Sequence, residues 1–117
     1  MGKKDDEVKS EIVSITVTRT IPPEIGGSGE EEVEDETIDV GVFQVDPARV
    51  GVSKGVTINT KHFSSARIDI LVHIPCYKEE VVDALERVNR FVEAKLMVEA
   101  ESVVKSLKDR EAVGVKR

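Results

Sequence analysis

From Lys78 to Ala112 the chain contains neither proline nor glycine. Pro75 precedes that stretch, Gly114 lies beyond it, and Glu79, Glu80 and Asp83 fall at its start. Acids in a first turn suit the positive end of the helix dipole. The sequence therefore predicts one long helix over residues 78–108, a rod of roughly 45 Å at ~1.5 Å per residue. Val81, Val92 and Val103 recur at 11-residue intervals, and so do Leu85, Leu96 and Leu107. That period is close to the turn of a straight helix, so one apolar stripe keeps to a single face throughout. A small sheet of ordinary strands is about half as long as such a rod. The second half of the helix then needs a partner or frays. A second copy of the chain is expected there, on Val92, Leu96, Val103 and Leu107.

The residues before the helix read as strands. Residues 11–19 place Val13, Ile15 and Val17 on one side and Ser14, Thr16 and Thr18 on the other, the alternation of a half-buried strand. Pro22 and Pro23 stop it. Residues 37–45 form a second strand, with Ile38, Val40 and Val42 on one face. Phe43 and Val45 fall on the other face, which points to a bulge or to a strand buried on both sides near its end. Asp46-Pro47 marks a turn. A third strand covers residues 50–60. The fourth, residues 66–74, aligns Ile68, Ile70, Val72 and Ile74. The expected fold is α+β: about four antiparallel strands followed by one long C-terminal helix. Residues 1–10 are expected to be a flexible tail and residues 11–117 a single domain.

The net charge of −6 is unevenly spread. Residues 24–39 carry eight acids and no base, whereas residues 48–67 carry Arg49, Lys54, Lys61 and Arg67 and no acid. Glycine and serine loosen residues 24–30, and like charges extend the remainder. Residues 24–36 are therefore expected to be a disordered acidic loop. With residues 24–39 set aside the rest is about +2, so net charge does not exclude a nucleic-acid partner.

The segment from Lys54 to Arg67 combines cations with an aromatic and several hydroxyls. Cations track phosphates and an aromatic ring stacks a base of any identity. Lys54, Lys61, His62, Phe63 and Arg67 are accordingly the expected nucleic-acid-binding residues. The alternative is an ordinary polar hairpin whose Phe63 folds onto the core. The acidic segment is either a solvating linker, a competitor for the basic hairpin or a bait for a basic protein partner.

Other classes find little support. Cys76 has no second cysteine to pair with. His62, His73, Cys76 and Asp69 lack the spacing of a metal site, so no metal or cofactor is expected. Gly51-Val-Ser-Lys-Gly55 lacks the P-loop spacing, and Gly26–Gly29 precedes no predicted helix. No catalytic constellation is visible, and the chain reads as non-enzymatic. No apolar run reaches the length of a membrane helix, and the first residues lack a secretory apolar core. A cytoplasmic location is expected.

The run Val56-Thr-Ile-Asn-Thr-Lys-His-Phe-Ser-Ser-Ala-Arg-Ile-Asp-Ile70, then Pro75-Cys76-Tyr77 and Arg90-Phe-Val-Glu-Ala-Lys-Leu96, resembles a group of small viral or phage-type accessory proteins. That resemblance covers about 45 residues. It implies a place in viral DNA replication or recombination, with Thr57, Asn59, Phe63, Ser65, Arg67 and Asp69 as the carried positions. In topology alone the plan is similar to PC4-like single-stranded DNA-binding proteins, from which it departs in its few aromatics and its acidic segment. The leading expectation is a homodimeric single-stranded DNA-binding protein. The alternative is a structural adaptor that assembles through its helix and recruits a basic partner through its acids.

Overall fold

The computed structural model describes residues 10–59 and 64–115, with side chains through Asp109. Four strands are followed by a helix: β1 (Glu11–Thr20), β2 (Glu31–Gly41), β3 (Ala48–Asn59), β4 (Ser65–Cys76) and α1 (Val81–Val115). Short 3-10 turns at Pro23–Ile25 and Lys78–Glu80 precede β2 and α1. All pairings are antiparallel and the sheet order is β2-β1-β4-β3. The α+β architecture is the expected one.

The apolar parity of each strand decides which face is covered. Ile15 and Val17 of β1, Val50 of β3, and Ala66, Ile68, Ile70 and Val72 of β4 are buried. Registers such as Ile15↔Val72 and Val17↔Ile70 put them on one side. The helix lies on that side, over β3 and β4, and closes the core with Ala84, Val88, Val92 and Val103. Branched aliphatic residues and alanine make this core. Phe43 instead stacks on Tyr77, with ring centroids 4.8 Å apart, where the chain enters the helix. Glu80 accepts a hydrogen bond from the Tyr77 N–H there at 3.3 Å and fixes the start of the helix.

Three expectations are corrected. Residues 31–36 of the expected disordered loop belong to β2, whose ladder to β1 runs from Thr20↔Glu31 to Glu11↔Gly41. The strand is held by backbone hydrogen bonds, since every one of its residues except Gly41 is exposed. Its turn is tight: the Gly29 N–H donates to the Ile21 carbonyl at 2.9 Å, and a Cβ on Gly27 would overlap that same carbonyl. Second, β2 ends at Gly41, short of the expected Val45. The bulge is real but sits at Val40, the extra residue between Ile12↔Asp39 and Glu11↔Gly41.

The third correction concerns the helix. Strands of 10 to 12 residues extend about 33–40 Å, and Val81 to Leu107 spans about 40 Å. The strands are about twice the usual length, so the sheet underlies the helix as far as Leu107, and the remainder of its 35 residues runs past the sheet. Val92 is fully buried and Val103 is 6% exposed within one chain. Leu96 and Leu107 also pack against this core. Val92 and Val103 therefore belong to the protomer core, whereas Leu96 and Leu107 are only partly covered by it. The tail expected over residues 1–10 lies outside the described residues except for Ser10.

Candidate functional site

With the helix on one side, the other face of the sheet is uncovered. Parity places Ser14, Thr16, Thr18 and Thr20 of β1 there, with Ser53 and Thr57 of β3, Arg67, Asp69, Leu71 and His73 of β4, and Glu31, Val33 and Asp35 of β2. Hydroxyls and glycines keep the face low.

Two glycines of β3 make room for β4 side chains. Gly55 pairs with Asp69, and a Cβ on it would overlap the Arg67–Asp69 pair. Gly51 pairs with His73, and a Cβ on it would come within 2.8 Å of the imidazole. These side chains consequently lie across β3.

Arg67 is the cationic centre of this face. Its Nε donates to Asp69 Oδ2 at 3.0 Å, its Nη2 to Asp69 Oδ1 at 2.7 Å, and its Nη1 to Thr57 Oγ1 at 2.9 Å. Hydrogen bonding to Asp69 raises its already high pKa, so it is charged at any physiological pH. A guanidinium has about five N–H donors, and these bonds leave part of that fork facing solvent. Asp69 and Thr57 set its plane over β3.

The expected binding residues do not all gather here. Lys54 pairs in register with Ile70, so it points to the helix side, where its Nζ meets Glu93 Oε2 at 2.6 Å. It cannot share a phosphate track with Arg67, because one residue of strand parity separates their faces. Lys61, His62 and Phe63 lie outside the described residues. Arg49 is half exposed and pairs with Glu11 at 2.7 Å.

A second cluster was not singled out from sequence. Arg19 extends the apolar parity of Val13, Ile15 and Val17, so β1 delivers a guanidinium to the helix side. Its Nε and Nη2 donate to the two carboxylate oxygens of Glu99 at 2.7 and 2.8 Å, and its Nη1 contacts Glu34 at 2.9 Å. The hydrogen bonds from Arg19 hold the Glu99 carboxyl below its ordinary range, against a smaller opposing effect of burial. Arg19 also lines a cleft of about 470 Å³ with Gly27, Ser28, Glu32, Ser102 and Ser106. The sequence signal was available: a lone cation on an apolar parity needs an acid on whatever covers it.

Acidic β2 is the sheet edge beside β1, with Glu32, Glu34 and Glu36 on the helix side and Glu31 and Asp35 on the uncovered face. Thr16 donates to Asp35 at 2.8 Å. Cys76 is buried at the strand-to-helix corner. Among the described residues no helix is long and apolar enough to cross a membrane. Compared with protein families, with curated proteins and with solved structures, the chain matches none.

Proposed function

We propose that the protein is a non-enzymatic, single-stranded nucleic-acid-binding accessory protein that uses the uncovered face of its sheet. One observation carries this reading: an uncovered face with a row of hydroxyls along β1 and an oriented, half-exposed Arg67 toward one end of the sheet. A phosphate backbone asks for cations and hydroxyl donors on an accessible track. Glycine at positions 51 and 55 lets His73 and the Arg67–Asp69 pair lie across β3, where a passing strand would meet them. Lys61, His62 and Phe63 follow β3 directly in sequence and supply the charge and the stacking ring. Lys54 leaves the set, since it serves Glu93. The setting that the resemblance implies is viral-type DNA replication or recombination in the cytoplasm.

The test is a titration of labelled single-stranded and duplex oligonucleotides at low and at physiological salt. Arg67→Glu should weaken single-strand binding about tenfold and flatten the salt dependence by about 0.7 in logarithmic slope per lost contact. Lys54→Glu should leave both unchanged. Absence of binding to every oligonucleotide at low salt refutes the reading.

A second reading is favoured by β2. Its six carboxylates are exposed along an edge strand, which suits recruitment of a basic protein partner. A lysine-rich peptide that binds the wild type, and not a Glu31→Gln/Asp35→Asn variant, would favour this adaptor role.

A further inference from the structure

The two edges of the sheet are chemically unlike. β2 carries six acids and no base. β3 carries Arg49 and Lys54 and no acid. Each edge leaves a row of backbone N–H and C=O groups unpaired within the sheet. Two copies of β2 would set like charges opposite one another, which bars that edge from self-pairing. The β3 edge has no such bar.

Beside β3 the helix adds an apolar flank. Lys54 and Val56 of β3 and Leu96, Met97 and Ala100 of α1 line an open groove of about 440 Å³. A neighbouring hollow of about 420 Å³ continues along the helix past Val104. Met97 is 62% exposed, and Ala100 is small enough to admit close approach of another helix.

We infer that this flank and the β3 edge together receive a second copy of the chain, related by a two-fold axis through the middle of β3. The spacings support that occupant. α1 lies over the β3–β4 pair, so its axis is about half a strand spacing from β3, or about 2.4 Å. Antiparallel pairing of β3 with its symmetry mate puts the axis of symmetry a further 2.4 Å or so away. The two helices are then about 10 Å apart, at the upper end of the usual 8–10 Å of packed helices. Met97 and Ala100 would meet their own copies at that separation. The groove sits near the midpoint of β3, where the two-fold passes. The β2 edge is a poor occupant by comparison. Its helix-side residues Glu32, Glu34 and Glu36 would bring carboxylates against Val56 and Met97. Lys54 and Glu93 already satisfy each other inside one chain, so the groove beside β3 closes without stranding that pair.

The assembly would be a single sheet of order β2-β1-β4-β3-β3-β4-β1-β2, with an acidic strand at either end. It is closed, since both outer edges repel their own kind. This surface is separate from the uncovered face, and its test uses no nucleic acid. Sedimentation of the full chain at high micromolar concentration should give twice the 12.9 kDa chain mass. Met97→Arg and Ala100→Arg should each give the single-chain mass with an unchanged circular dichroism spectrum. Hydrogen exchange on the unmodified chain should show β3 amides slowing as concentration rises, with β2 amides unaffected. A monomeric wild type, dimeric arginine variants, or concentration-dependent protection of β2 in place of β3 overturns the inference.

Discussion

Removing the guanidinium of Arg19 tests how the helix is fastened to the sheet. Arg19→Ala deletes two hydrogen bonds to Glu99, of 2.7 and 2.8 Å, and the contact with Glu34. The Arg19 and Glu99 side chains are 25% and 19% exposed, so the pair lies between two regimes. Exposed pairs contribute about 0–1 kcal/mol, whereas breaking a buried pair costs about 3–5 kcal/mol. Glu34 is 65% exposed and adds little. The expected cost of Arg19→Ala is about 2–3 kcal/mol, a fall in Tm of about 10 °C for a chain of this size. Urea unfolding of Arg19→Ala, Glu99→Ala and the double variant should give a coupling of about 1.5–2 kcal/mol. The pH dependence follows from Glu99, whose folded pKa lies below its ordinary 4.5. The contribution of the pair is full above pH 4.5 and is lost as pH falls through the lower folded value. Arg19→Ala should lack that acid limb. A coupling below about 0.5 kcal/mol would refute the reasoning, because it would place the pair among exposed surface pairs.

Three further substitutions address the helix and the β1–β2 turn. Val92→Ala, at a fully buried site, should cost about 2 kcal/mol in urea unfolding, whereas Val98→Ala, 64% exposed, should stay within about 0.5 kcal/mol. Equal costs would mean that Val92 does not belong to the protomer core. Gly27→Ala drives a Cβ into the Ile21 carbonyl and should cost about 1–3 kcal/mol. An unchanged midpoint would show that the turn between β1 and β2 is not this tight.

What the sequence reveals depends on burial. β1, β3 and β4 alternate because the helix covers one side of each, and their limits are legible to within two residues. α1 is legible from its missing breakers and its apolar stripe. The acidic half of β2 is not, because no face of Glu31–Glu36 is buried and periodicity has nothing to report. Its order comes from a ladder whose other half is β1, a relation written nowhere in the segment itself. How far the sheet reaches under the helix is not legible for a related reason: strand length is set by pairing, and typical lengths understate these strands. The site was half legible. Arg67 stands where the pattern places it, on the open face, but Lys54 was grouped with it by charge, and charge ignores the two-residue period that sends them to opposite sides.

The connection over residues 42–47 joins β2 and β3, which occupy opposite edges of the sheet. Three strand spacings separate them, about 14 Å. Six residues reach at most about 20 Å, so the segment is a short leash drawn across the ends of β1 and β4 and pinned midway by Phe43 on Tyr77. Each hairpin, β1 with β2 and β3 with β4, joins strands adjacent in sequence. The leash holds the two at high effective concentration. The central β1–β4 seam therefore closes at little entropic cost once the hairpins exist, although its partners are far apart in sequence. Lengthening this segment should slow the joining of two preformed halves while leaving each half intact.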